Sequence, residues 1–208
     1  MIQYLLFDLD NTLYSYRYGL EEDVSRRIKE YTASYLGISP EEAWALRLGN
    51  MHQYGTCLEW LVTEKGFTEI ETYLAAIHPK DEAENLPADS ALRAFLTGIP
   101  IPKAILTNST REHADLILGK LGITDLFTHI FDIRQCNYMG KPRPEVYENS
   151  LQKLCLNAED VLFIDDNRYY AAGFIAIGGN ALLFDEKDIH RNCGLPRIRK
   201  LEELVQFI

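Results

Sequence analysis

Hydrophobic residues in this chain come in short runs, each closed by an acidic or hydroxyl-bearing residue. Tyr4-Leu5-Leu6-Phe7 ends at Asp8, Ala104-Ile105-Leu106 at Thr107, Ile130-Phe131 at Asp132, Val161-Leu162-Phe163-Ile164 at Asp165, and Ala181-Leu182-Leu183-Phe184 at Asp185. Apolar runs this short predict strands buried on both faces. Helical periodicity fills the intervals near 110–121, 143–155 and 167–177. Strands alternating with helices predict the α/β class, a Rossmann-like three-layer core around a central parallel sheet. The residues that close the runs then lie along the C-terminal edge of that sheet, where open α/β folds bind ligands.

From about 14 to 86 the pattern changes to helices without a strand, near 19–36, 40–53, 56–65 and 68–77. Ser39-Pro40-Glu41-Glu42 carries a helix start, with Ser39 as N-cap, Pro40 at the first helical position and Glu42 placed for a capping box. A small all-helical insertion directly after the first strand is expected to sit over that strand's end as a cap. The expected organisation is a core of 1–14 and 87–208 with a cap of 15–86. A short closing helix is expected over 201–208.

Length and charge narrow the classes. The 208 residues suit one domain with a modest insertion. Lys and Arg number 21 against 31 Asp and Glu, a net charge of −10, which counts against a nucleic-acid polymer or an anionic membrane as partner. No run approaches ~20 apolar residues, so no membrane span is expected. Asp8 and Asp10 interrupt the first apolar run and no basic segment precedes it, unlike a signal peptide. Cys57, Cys136, Cys155 and Cys193 form no CxxC pair, and free thiols in a reducing, cytoplasmic setting are expected. An anionic substrate would need local positive charge from a metal, a lysine or a helix N-terminus.

Four strand-end elements carry candidate chemistry. Asp8 and Asp10 repel each other unless a cation or a shared proton intervenes, which points to a metal site, a general acid, or both. Thr107-Asn108-Ser109 opens a helix, where a hydroxyl and free N–H groups can hold an anion. In Gly140-Lys141-Pro142-Arg143-Pro144 the prolines hold Lys141 near a defined place. Asp165-Asp166 can bind Mg²⁺, which takes a few carboxylates together with waters and phosphate oxygens. Each alone has an ordinary explanation as an N-cap, a turn or a solvated charge. Together they supply nucleophile, acid, phosphate clamp and metal site, the parts of phosphoryl transfer.

These words in this order resemble the haloacid dehalogenase (HAD) superfamily of phosphohydrolases over nearly the whole chain. Asp8-Leu9-Asp10-Asn11-Thr12 resembles its first motif, Thr107 the second, Lys141 the third and Asp165-Asp166 the fourth. The segment after the first strand resembles its helical cap. A narrower likeness, in Asp10 to Tyr14, in Tyr54-Gly55-Thr56-Cys57-Leu58 and in Leu106 to Ser109 with Arg111-Glu112-His113-Ala114, is to the pyrimidine 5′-nucleotidase-like branch. Two positions depart from that branch, Asn167 where Ser is common and Tyr170 near where Asn is often found.

The resemblance implies a Mg²⁺-dependent phosphatase. Asp8 would attack phosphorus, and Asp10 would protonate the leaving alcohol and then activate water, a role that calls for a raised pKa. Mg²⁺ would be held by Asp8, the Asp10 carbonyl, and Asp165 or Asp166. Lys141, Thr107, Asn108 and Ser109 would hold phosphate oxygens. In the cap, His52, Tyr54 and Thr56 would approach the leaving group, while Tyr14, Tyr16 or Tyr18 could stack on a base. An acid at Asp10 argues against halide displacement, which needs no proton donor. The expected substrate is a small phosphorylated metabolite, foremost a pyrimidine nucleoside monophosphate, handled by a monomer or homodimer. The alternatives are a phosphatase for phosphoglycolate or a sugar phosphate, a phosphomutase, and a non-catalytic binding module.

Overall fold

The computed structural model describes residues 1–50 and 53–208. Strands β1 (Tyr4–Phe7), β2 (Lys103–Leu106), β3 (His129–Phe131), β4 (Val161–Asp165), β5 (Asn180–Phe184) and β6 (Arg197–Ile198) form one sheet in the order β3-β2-β1-β4-β5-β6. All neighbouring strands are parallel. The two-residue β6 was not foreseen, because a pair of residues carries no periodic signal.

Every residue of β1 is buried, as a central strand between two helical layers must be. Leu5 and Phe7 point into a core shared with Leu92 and Leu96 of α5 (Ser90–Gly98) and Ala114, Ile117 and Leu118 of α6 (Arg111–Leu121). Leu6 points the other way, toward Val146 and Tyr147 of α7 (Pro144–Leu154) and Phe174 of α8 (Arg168–Ala176). The three-layer expectation is met. Helix α5 was not anticipated; it is started by Asp89, whose carboxylate accepts from the Leu92 N–H at 2.8 Å. The closing helix is a 3-10 segment, Leu201–Gln206.

Strand order sets where the site lies. β1 is paired on one side with β2 and on the other with β4, so successive strands are laid outward in opposite directions from this seam. That is the switch point at which α/β sheets open a crevice. Phe7 is in register with Ile164, so the next residues, Asp8 and Asp165, emerge side by side.

The segment after β1 forms α1 (Leu20–Leu36), α2 (Pro40–Asn50), α3 (Cys57–Lys65) and α4 (Ile70–Ile77). The capping box at the start of α2 is present: the Ser39 N–H donates to Glu42 Oε2 at 2.9 Å and the Glu42 N–H to Ser39 Oγ at 3.3 Å. The cap helices bury their own core around Trp60, Leu61, Phe67, Tyr73 and Leu74. The cap meets the sheet's edge where Gly55 faces Gly140: a Cβ on Gly55 would fall 2.1 Å from the Gly140 carbonyl oxygen. An Arg143 Nε to Glu59 Oε1 bond of 2.8 Å and an Arg134 Nη2 to Glu71 Oε2 bond of 2.7 Å fasten the same seam.

Candidate active site

Asp8 leaves β1 with its N–H donating to the Ile164 carbonyl at 2.8 Å, so its side chain starts from fixed backbone. The chain then turns at once; Asn11 has a φ of 55°, a left-handed conformation that Asn adopts more readily than most residues. The turn brings Thr12 Oγ1 back to donate to Asp8 Oδ2 at 3.2 Å.

Lys141 reaches the same point from the loop before α7. Its side chain is fully buried, and Nζ donates to Asp8 Oδ1 at 2.6 Å and to Asp165 Oδ2 at 2.7 Å. Two carboxylates more than compensate the burial cost of one ammonium and raise its pKa well above the ordinary value. Asn108 braces the loop: its Oδ1 accepts the Lys141 N–H at 2.8 Å and its Nδ2 donates to the Lys141 carbonyl at 3.3 Å. Asn108, expected to hold phosphate, thus positions Lys141, and one N–H of its amide is left facing no protein acceptor among the described residues while the residue lines the cleft. Thr107 lies in the cleft wall, its Oγ1 accepting the Ser109 N–H at 3.0 Å.

Asp8, Asp165 and Asp166 each offer a carboxylate oxygen within 4.8 Å of the others. Burial, followed for Asp166 by the charge of Asp165, lifts all three carboxyls above their usual range, Asp165 to about 7, with Lys141 opposing. One ammonium among three carboxylates, two buried and one half-buried, leaves a deficit of positive charge. An all-oxygen donor set with that deficit fits Mg²⁺. The Asp10 side chain lies outside this group.

The Asp10 carboxylate is saturated with donors. Tyr14 Oη donates to Oδ1 at 2.6 Å, His113 Nε2 bonds the same oxygen at 2.7 Å, and Ser109 Oγ donates to Oδ2 at 2.9 Å. Burial alone would raise its pKa, but the charge and hydrogen bond of His113 outweigh burial and hold Asp10 well below the ordinary carboxylate range. The expectation of a raised Asp10 pKa is therefore reversed. The structure places two anions around His113 instead of around Asp10: its Nδ1 bonds Glu82 Oε1 at 2.6 Å. Burial pulls the imidazolium down, yet Asp10 and Glu82 carry it up to about 10.

Glu82 also bonds His78 Nδ1 at 3.2 Å and accepts from Arg27 Nη1 at 3.4 Å. His78, Glu82 and His113 are a ligand set by residue type. Here their charges are already balanced by the imidazolium and by Arg27, so the group serves as a scaffold for Asp10.

A pH dependence follows from this pair. The folded value of His113, about 10, lies above its ordinary 6.5. Its protonated form therefore stabilises the fold in full below pH ~6.5, and this contribution is lost as pH rises through about 10. Asp10 has the opposite sign: its contribution is present above its ordinary 3.8 and lost as pH falls through its lower folded value. The melting-temperature gap between the wild type and His113→Gln is expected to be largest at about pH 4–6.5 and to narrow toward pH ~10. A gap that stays level across that range would contradict the ion pair.

The cap residues divide. Thr56 lines the cleft and caps α3, its Oγ1 accepting the Glu59 N–H at 3.0 Å. Tyr54 is a correction: it is buried in the cap core and its hydroxyl donates to Glu64, so it packs the cap instead of facing the cleft. His52 lies outside the described residues. Tyr14 is likewise redirected, from base stacking to holding Asp10. Tyr16 lies under Lys187, 4.0 Å from ring centroid to Nζ, and Tyr18 is exposed. Ser109 reaches Asp10 where a phosphate contact was expected. Sequence reasoning assigned no role to His113, Glu82 or His78. The signals for His113 were its place in the Arg111-Glu112-His113-Ala114 run and its position one turn after the N-cap Thr110, on the buried side of α6.

The comparisons with known proteins agree with this geometry. The family model for haloacid dehalogenase-like hydrolases matches residues 2–178. Phosphate metabolism protein 8 of Saccharomyces cerevisiae is 26% identical over 189 residues, 83% of this chain and 58% of that protein. (S)-2-haloacid dehalogenase 2 of Pseudomonas sp. is 30% identical over 84 residues, 40% of this chain and 36% of that enzyme. The matches thus span little more than half, or less, of these relatives. In three dimensions the chain resembles a HAD phosphatase from Thermococcus onnurineus with a TM-score of 0.65 at 18% identity, over 99% of this chain and 97% of that one. With a family model covering most of its length and the Asp8, Thr107, Lys141 and Asp165-Asp166 positions gathered at one sheet edge, this chain belongs to the haloacid dehalogenase-like hydrolases.

Proposed function

We propose that the protein is a Mg²⁺-dependent phosphatase of small phosphate monoesters, with a pyrimidine nucleoside monophosphate as the leading substrate. The observation that carries this reading is Asp10. A halide leaves as an anion and needs no proton, whereas an alkoxide does. A second carboxylate bonded to a protonated imidazole, His113, gives the cleft a proton source that only the second reaction uses.

Asp8 attacks phosphorus, the ester oxygen departs with its electron pair, and an aspartyl-phosphate results. Water then attacks that phosphorus and releases phosphate. Lys141, bonded to Asp8, orients the nucleophile and offsets charge gathering on the transferred group. The Thr107 hydroxyl, in the cleft wall, donates to a phosphoryl oxygen in this reading. His113 Nε2, 2.7 Å from Asp10 Oδ1, carries the proton of the pair at rest. As charge grows on the leaving oxygen, Asp10 relays that proton to it from His113, and the proton of the attacking water returns to His113 through Asp10. Mg²⁺, held by Asp8, Asp165 or Asp166 and the Asp10 carbonyl, supplies Lewis-acid charge neutralisation when bound.

The cleft, about 390 Å³, suits a leaving group of nucleoside size better than a two-carbon acid. Hydrolysis of UMP, CMP, sugar phosphates and phosphoglycolate with Mg²⁺ tests the substrate. UMP and CMP are expected to rank first, and a flat ranking removes the nucleotidase assignment. Asp10→Asn tests the proton donor. It is expected to lower kcat by about 10²–10⁴-fold for alkyl esters and much less for p-nitrophenyl phosphate, whose leaving group needs little protonation. An equal loss on both would remove Asp10 from that role.

A further inference from the structure

Two arginines of the cleft take no part in the phosphoryl chemistry: Arg168, which is exposed and donates to Tyr169 Oη at 2.7 Å, and Arg47. Arg47 belongs to α2 of the cap and lines the same cleft as Asp8, Asp10 and Lys141. Its guanidinium carbon lies 4.8 Å from the centre of the Trp44 ring, one turn earlier in the helix. Stacking on an indole restricts the plane of a guanidinium, so its donors point in set directions.

One of those donors is unused. Arg47 Nη1 is buried and has no hydrogen-bond partner among the described residues. The other orphaned buried atoms there, Asn11 Oδ1 and Glu186 Oε2, are acceptors, and both belong to residues lining a separate small hollow. Among the described residues Arg47 Nη1 is thus the single buried side-chain donor without a partner, and it belongs to a residue lining the main cleft. A buried N–H without a partner is costly, and a ligand oxygen placed against it removes that cost.

The surroundings select the kind of oxygen. Val24, Ile28, Leu58, Leu74 and Ile77 supply apolar wall, which suits the body of a ring. Asp8, Asp10, Glu21 and Asp166 line the same cleft. A leaving group with its own carboxylate or second phosphate would bring a further anion among these acids. A neutral carbonyl accepts from a guanidinium without that repulsion. The volume also leaves room for a ring beside the phosphoryl group.

We propose that Arg47 is the specificity residue of the cleft, donating through Nη1 to a neutral carbonyl oxygen on the ring of the leaving group. The substrates so selected are monophosphate esters bearing a carbonyl-substituted heterocycle. This rests on the phosphatase reading, which the experiment tests separately.

The experiment compares kcat/KM for UMP, for n-butyl phosphate, which has no acceptor beyond its phosphoryl group, and for phosphoglycolate, in wild type, Arg47→Met and Arg47→Gln. Arg47→Met is expected to lower the ratio of UMP to n-butyl phosphate by about 10–100-fold, the scale of a lost hydrogen bond to a charged donor. Arg47→Gln keeps an N–H donor and drops the charge. It is expected to recover part of that ratio, which a merely structural role for Arg47 would not produce. A ratio unmoved in Arg47→Met overturns the proposal while leaving a phosphatase in place. A wild type that prefers phosphoglycolate to UMP, with that preference lost equally in Arg47→Met and Arg47→Gln, overturns it in favour of anion recognition. A wild type that hydrolyses neither ester with Mg²⁺ overturns the phosphatase reading, and the proposal falls with it.

Discussion

Asp8→Asn is expected to abolish phosphate ester hydrolysis, with kcat lowered at least ~10³-fold, while the protein stays folded. The amide has the shape of the carboxylate and lacks its nucleophilic oxygen. Its effect on stability should be small or favourable. Lys141 keeps a partner in Asp165 at 2.7 Å after the substitution. Removing one charge also relieves the crowding that pushes the Asp8, Asp165 and Asp166 carboxyls upward. The check is steady-state turnover with Mg²⁺ alongside thermal unfolding of the same preparation. Residual activity within about tenfold of wild type would remove Asp8 from the nucleophile's role.

Lys141→Met should act on both stability and activity. Lys141 is the cation shared by two buried carboxylates, and methionine fills a similar volume without charge. Deleting one partner of a buried ion pair costs about 3–5 kcal/mol, because the remaining charge is stranded. For a chain of this length that is roughly 6–20 °C in Tm. Activity is expected to be lost as well, since Asp8 then lacks its orienting ammonium. Mg²⁺ should raise the Tm of Lys141→Met more than that of wild type, because the variant has more negative charge left to neutralise at the same oxygens. A variant melting within about 2 °C of wild type would show that Lys141 is not the counter-ion the geometry implies.

The parts of this protein that were legible in the chain are those written within a few consecutive residues. A run of four buried residues followed by an acid marks both a strand and its C-terminal end, so the sequence places Asp8 and Asp165 at one sheet edge. The same holds for Ser39 and Glu42, whose capping box needs only their three-residue spacing. Helix α5 and strand β6 escaped because one is a brief helix between loops and the other only two residues long.

The tertiary structure decided the protonation and the contacts of the site. The chain leads one to expect a raised pKa at Asp10, from the charge of Asp8 two residues away and from desolvation under the cap. Its ionisation is governed instead by His113, 103 residues on, and His113 in turn by Glu82. Tyr54, Asn108 and Ser109 have the residue types of ligand-binding groups, but Glu64 and Asp10 occupy Tyr54 and Ser109, and Asn108 positions Lys141. The orphaned donor of Arg47 is equally invisible in one dimension, since a lack of partners is a property of the finished packing. Short-range order follows from steric and hydrophobic periodicity along the chain, whereas charge state and hydrogen bonding depend on distances of 2.6–2.9 Å between residues that only folding brings together.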